Sequence, residues 1–241
     1  MNVVIAGGLW IAIRESDLQG QIIVGLLAVG SAISWSVMLT KWQQLRRARS
    51  TGREFLNHFR RDRDPLHLFI NSFELKQAPL YNIYRMGAEE ISAQLGGRKP
   101  RAGDQLPLET PVTAREAGTV NIGTLRNVLG RAIDAEVMQL ESHLPVLSTA
   151  VQGGPFLGLL GSAWGVMSVF GGMAEQGTMR LQAVAPGISA ALAATVVGLL
   201  VAVPSLFAYN WLAARVRHQT MEMDNFADEL IAAVEHTYQT H

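Results

Sequence analysis

Leu181-Gln-Ala-Val-Ala-Pro-Gly-Ile-Ser-Ala-Ala-Leu-Ala-Ala-Thr-Val-Val-Gly-Leu-Leu-Val-Ala-Val-Pro-Ser-Leu-Phe-Ala-Tyr-Asn-Trp-Leu-Ala-Ala214 holds no charged side chain. A helix needs roughly 20 apolar residues to cross a hydrocarbon core of about 30 Å, and this stretch exceeds that. Leu144 to Ala174 is equally free of charge, and only six residues, Glu175 to Arg180, separate the two. The pair reads as a membrane hairpin. A third span, Gln21 to Thr40, stands alone near the start. The sequence therefore predicts an all-α integral membrane protein with three transmembrane helices, spans 1 and 2 being extended into a cytoplasmic helical bundle.

The averages conceal this organisation. The 241 residues carry a net charge of +0 and a mean hydropathy of +0.17. Yet 16 of the 20 Lys and Arg lie between Lys41 and Arg131, while apolar residues concentrate in the spans. No soluble single domain is patterned in this way. The chain has no cysteine, which excludes disulfides, thiolate catalysis and Cys-ligated metals. Its six His lie outside the spans and form no tight ligand pair, so no metal and no cofactor is expected. Val3 to Ile13 is apolar but too short to span. No basic residue precedes it, so it reads as an interfacial segment rather than a signal peptide.

Charge sets the topology, because cytoplasmic flanks carry the excess of Lys and Arg. Lys41, Arg46, Arg47, Arg49 and Arg53 follow span 1, and Arg215 and Arg217 follow span 3. This predicts an outward-facing amino terminus and a cytoplasmic carboxyl terminus. The resulting organisation is an interfacial segment 1–20, a span 21–40, a cytoplasmic helical region 41–143 with a loop at 96–112, a span 144–174, a short external loop 175–180, a span 181–214 and a cytoplasmic helix 215–241. Within the cytoplasmic region, Lys41 to Arg63 reads as a helix continuing span 1. Phe69 to Leu95 reads as another, with Ile70, Phe73, Leu80, Ile83 and Tyr84 on one face. Thr113 and Glu116 form a capping box for a third. That third helix carries Ile122, Leu125, Leu129, Ile133, Val137, Leu140 and Leu144 at steps of three and four, and is predicted to run straight into span 2. The basic residues after span 1 suit anionic membrane lipid. Glu54, Asp62 and Asp64 interrupt them, which argues against nucleic acid.

Small and polar residues carry the chemistry of the spans. Gly154, Gly158, Gly161 and Gly165 fall at helical spacing in span 2, and Ala190, Ala194, Gly198 and Ala202 make a second ridge in span 3. Missing side chains let helix backbones approach closely. Pro155, Pro186 and Pro204 each remove a backbone donor and are candidate hinges. Ser148, Gln152, Pro155, Leu159 and Ser162 share one face of span 2, and span 3 adds Ser189, Thr195 and Ser205. A line of hydroxyls aimed at a common axis makes a wet, proton-accessible path. Spans 2 and 3 contain no Asp, Glu, His, Lys or Arg. Intramembrane ionisable groups mark proton relays, so any proton moved here needs a carboxylate from a partner or a water chain along the hydroxyls.

These residues resemble the MotA/TolQ/ExbB proton-channel family. Gly154-Pro-Phe-Leu-Gly-Leu-Leu-Gly-Ser-Ala-Trp-Gly-Val-Met167 is similar to the family's span 2 signature, and Val184-Ala-Pro-Gly-Ile-Ser-Ala-Ala-Leu-Ala-Ala-Thr195 to its span 3 signature. Ala202-Val-Pro204 with Tyr209-Asn210, and Ser34-Trp35 with Lys41, also fit. Three spans place the resemblance in the TolQ/ExbB branch, and Met223 to Glu229 is slightly more similar to TolQ. The resemblance implies a homopentamer around a central pore in the bacterial inner membrane. The pore would hold a dimer of an ExbD/TolR-like single-span partner whose Asp carries protons. Energy would pass to a TolA/TonB-like protein in the periplasm. On this reading Ser162, Thr195, Ser148, Gln152 and Ala190 line the proton pathway, and the chain is a transport subunit rather than an enzyme. Two departures stand out: Ser162 stands where the family usually has Thr, and Ala190 where TolQ and ExbB usually carry Glu. The second motivates an alternative, a scaffold of the same fold that no longer transports.

Overall fold

The computed structural model describes residues 18–61, 65–70, 78–95, 120–176 and 181–238, and every regular element among them is an α-helix. In chain order these are α1 (Leu18–Phe59), α2 (His67–Ile70), α3 (Pro79–Gln94), α4 (Ile122–Glu141), α5 (Leu144–Gln176) and α6 (Leu181–Tyr238). Three of them, α1, α5 and α6, are long and apolar enough to cross a membrane. The predicted segment 1–17, the loop from Gly96 to Pro111 and the Thr113–Glu116 box lie outside the described residues, as do Phe73 and positions 177–180.

Helix boundaries follow proline and cap chemistry. The helix predicted over Phe69–Leu95 is instead two described elements, α2 ending at Ile70 and α3 beginning at Pro79. Proline favours the first turn of a helix and holds the preceding residue extended, and Ala78 has φ −100° and ψ 113°. The helix after Lys41 ends at Phe59, not Arg63. The cap of α4 is Asn121, whose Oδ1 accepts from the Thr124 N–H at 3.1 Å.

The expectation that α4 runs into span 2 is overturned. α4 stops at Glu141, Ser142 turns extended with ψ 138°, and His143 takes the left-handed φ of 70° that non-glycine residues seldom adopt. The cause is Pro145 in the first turn of α5. It has no N–H to bond the Glu141 carbonyl, and its ring collides with that carbonyl in a continuous helix. The Val146 N–H bonds the His143 carbonyl at 3.1 Å and starts the new helix.

The chain divides into two compact units. The first takes Met1–Trp42 and His143–Ala213, and so holds the apolar lengths of α1, α5 and α6. On α1, Ile23, Leu27, Ser34 and Lys41 form a buried stripe, while Ile22, Leu26, Val29 and Ile33 form an exposed apolar one. An exposed apolar stripe of this length belongs in lipid, where it costs nothing.

The second unit takes Gln43–Ser142 and Ala214–His241. Here α3 and α4 pack antiparallel. Asn82 Nδ2 donates to Glu136 Oε1 at 2.8 Å, and Gln94 Oε1 at the other end accepts from the Asn121 N–H at 2.6 Å. A Cβ added at Gly87 would lie 2.8 Å from Leu129 Cδ2 and 3.1 Å from Leu230 Cδ2, so α3 sits close to both α4 and α6. The core is aromatic. Phe55 meets Phe59, Tyr81, Tyr84 and Phe226 at centroid distances of 5.4–6.1 Å, the favourable range for offset and edge contacts. The buried Tyr84 hydroxyl donates to the Pro65 carbonyl at 2.8 Å and accepts from the Phe69 N–H at 3.0 Å, tying α2 to this core. At its surface Arg60 forms a bidentate pair with Glu229, both bonds 2.9 Å, and this raises the guanidinium pKa above its ordinary value.

Candidate functional site

Within the first unit α5 and α6 lie antiparallel and almost backbone to backbone. A Cβ placed on Gly154 would stand 2.9 Å from the Gly198 carbonyl oxygen, and one on Gly198 would stand 2.5 Å from the Gly154 oxygen. The hydrogens that occupy those positions point at the opposing carbonyls, a reciprocal Cα–H···O pair of the kind found at close helix crossings. Further along, Gly158 meets Thr195, Gly161 meets Ala194 and Gly165 meets Ala191. All four glycines read from span 2 are therefore at this seam. In span 3 the seam runs through Ala191, Ala194, Thr195, Gly198 and Ala202. Ala190, named in the predicted ridge, is buried beside Ala193, one residue off this line.

The close approach brings two hydroxyls together. Ser162 Oγ and Thr195 Oγ1 are 2.5 Å apart. Ser162 Oγ also reaches the Ala191 carbonyl at 2.7 Å, and Thr195 Oγ1 the Gly158 carbonyl at 3.1 Å. Hydroxyls in membrane helices usually bond the carbonyl four residues back in their own helix. Here each takes the carbonyl that the other would have used, since Gly158 precedes Ser162 by four and Ala191 precedes Thr195 by four. Two hydroxyl hydrogens serve three contacts. Oxygens at this spacing require a hydrogen between them, so one hydroxyl always donates to the other. The chain then runs either from Ser162 through Thr195 to Gly158, or from Thr195 through Ser162 to Ala191. Both side chains are half-buried.

The remaining predicted polar residues form a separate group. Gln152 Nε2 faces Ser148 Oγ at 3.5 Å, a marginal contact, with Gln152 exposed and Ser148 half-buried. Gln152 lies ten residues before Ser162 on α5, about 15 Å along the helix. The exposed Leu159 and the half-buried Pro155 stand between them. Pro155, Pro186 and Pro204 are all accommodated inside continuous helices. The carbonyls of Gly158 and Ala191 are participants that residue types alone did not reveal. Gly158 was visible only as a small residue, and Ala191 carried no signal.

A three-helix membrane unit with a glycine-lined seam, a hydroxyl pair across it and no Asp, Glu, His, Lys or Arg from Leu144 to Ala174 or from Leu181 to Ala214 is a multi-pass membrane protein whose polar chemistry lies in hydroxyls between its helices. Comparison with known proteins gives the family. Residues 107–225 match the MotA/TolQ/ExbB proton channel family. The chain is 30% identical to the Tol-Pal system protein TolQ of Haemophilus influenzae over 89% of its own length and 88% of the relative's. It is 29% identical to TolQ of Pseudomonas aeruginosa, over 99% and 97% of the two chains. With the biopolymer transport protein ExbB of Pseudomonas putida it shares 27% identity over 93% of its length and 63% of the relative's. The chain belongs to the MotA/TolQ/ExbB proton channel family, and it is a multi-pass membrane protein closer to the TolQ side.

Proposed function

We propose that this chain is the channel subunit of a proton-driven motor in the bacterial inner membrane, working as TolQ does in a Tol-Pal-type system. Its amino terminus faces the periplasm and its carboxyl terminus the cytoplasm. Five copies surround a dimer of an ExbD/TolR-like single-span partner, and the partner's Asp binds and releases the proton. The energy passes to a TolA/TonB-like protein and so to a periplasmic or outer-membrane process.

The observation that carries this reading is the Ser162–Thr195 pair. A carboxyl group that cycles between ionised and neutral forms needs a neighbour that can donate in one state and accept in the other. The hydroxyl pair can accept from the neutral acid, and can donate to the ionised one by releasing a backbone carbonyl, without contributing a charge. The carboxylate-free spans fit a division of labour in which the acid is borrowed. Ser148 and Gln152, about 15 Å before the pair on α5, are a second polar group on the same helix.

The test replaces Ser162 and Thr195 together with Val in vesicles containing the channel and its single-span partner. Loss of proton flux with the complex still assembled is expected. Full flux in that variant would remove the pair from the mechanism. A wild-type protein whose cellular effect survives collapse of the proton gradient would instead support the scaffold reading that Ala190 motivates.

A further inference from the structure

Among the described residues of the first unit, one buried polar side-chain atom has no partner: Ser34 Oγ, on α1, fully shielded and without a hydrogen bond. Ser34 is 4% exposed. An unsatisfied buried hydroxyl costs about 1–3 kcal/mol, and a helical serine can avoid that by turning back to its own carbonyl. Ser34 does not do so here.

The register of α1 against α6 shows what faces it. Ile23 Cγ2 and Ala194 Cβ both approach the same point on Gly161, at 3.4 and 2.7 Å from its added Cβ. Thirty-two residues past that contact in each helix (55 − 23 and 226 − 194), Phe55 of α1 and Phe226 of α6 meet at a centroid distance of 5.4 Å. The two helices therefore run side by side in the same sense. Eleven residues past the contact in each stand Ser34 and Ser205 (34 − 23 and 205 − 194). Ser205 is also 4% exposed. Its hydroxyl donates to the Val201 carbonyl at 2.8 Å, which leaves its oxygen free to accept. A donor without an acceptor thus lies level with an acceptor that has spare lone pairs, and no direct hydrogen bond joins the two.

We propose that α1 and α6 hold one internal water molecule between Ser34 and Ser205. The water accepts from Ser34 Oγ and donates to Ser205 Oγ, spanning about 5 Å with two ordinary O–H···O bonds. Its second hydrogen is available to a nearby helix carbonyl. Buried waters with about three polar partners are regular parts of protein interiors, and in a membrane they satisfy groups that lipid cannot. The water is a polar fastening for α1, on a buried face that runs from Leu27 through Ser34 to Lys41.

The sign of one substitution decides the matter. The full-length protein is purified in detergent as wild type, Ser34→Ala, Ser205→Ala and the double variant, and the thermal unfolding midpoint is measured. With the water present, Ser34→Ala lowers the midpoint by a few degrees, and the double variant falls by less than the sum of the singles. If Ser34 is an orphan or bonds its own helix, Ser34→Ala leaves the midpoint unchanged or raises it, and the proposal fails. Additive single effects also overturn it. Independently, an experimental density map fine enough to resolve waters should show a peak within hydrogen-bond distance of both hydroxyls, and an empty gap there would refute the assignment even if a variant did not fold.

Discussion

Ser162 and Thr195 exchange hydrogen-bond acceptors: each hydroxyl bonds the carbonyl four residues before the other, and the two oxygens meet at 2.5 Å. The exchange joins α5 to α6 through polar contacts in a region that is otherwise aliphatic. Interhelical hydrogen bonds in membranes average about 0.6 kcal/mol and reach about 1.7. A double-mutant cycle of Ser162→Ala and Thr195→Ala, read by unfolding in detergent, should give a coupling in that range. Ser162→Thr and Thr195→Ser keep both hydroxyls and should retain proton flux, whereas Thr195→Val should not. A coupling indistinguishable from zero would mean that the contact contributes no stability.

The seam itself depends on Gly198. A methyl there would meet the Gly154 carbonyl oxygen at 2.5 Å and the Gly158 Cα at 3.1 Å, both backbone atoms that cannot swing aside. Gly198→Ala should therefore destabilise the first unit by about 1–3 kcal/mol, the usual cost of overpacking. Gly25→Ala is the control. Nothing lies within 4 Å of its added Cβ, and alanine is the better helix former by up to about 1 kcal/mol. Equal effects from the two changes would show that the helices do not meet where the glycines indicate.

Ala190 tests whether an acid can be restored at the position where the family resemblance implies Glu. The side chain is only 8% exposed and sits with Ala193. A carboxyl introduced there must be buried, at a cost of roughly 3 kcal/mol if it stays ionised in the membrane. Ala190→Glu should lower the yield of folded protein and should not raise proton flux. An increase in flux would show that the position opens to the pathway in the assembled channel.

In the second unit, Phe55 is fully buried at the centre of the ring cluster. Phe55→Ala leaves a cavity among Phe59, Tyr81, Tyr84 and Phe226 and should cost about 3–5 kcal/mol. Limited proteolysis should then cut within Gln43–Ser142 faster than in wild type. Unchanged cleavage would indicate that the cluster is not the core of this unit.

The three spans were legible in the sequence because a bilayer responds to composition summed over about 20 residues, a property that needs no knowledge of neighbours. The four glycines of span 2 were legible for a related reason, since helical spacing alone puts Gly154, Gly158, Gly161 and Gly165 on one face. The break at Ser142–His143 was also written in the chain, in Pro145, but the unbroken run of apolar positions from Ile122 to Leu144 outweighed that single residue in the reading. Tertiary structure alone decided that Ala191 rather than Ala190 meets Gly165 of α5, that Ser162 and Thr195 bond across the seam rather than back to their own helices, and that the Ser34 hydroxyl is buried without a partner. Neighbouring residues on a helix point about 100° apart. Periodicity therefore narrows a contact to a face, and only the register and rotation of the opposing helix select the residue.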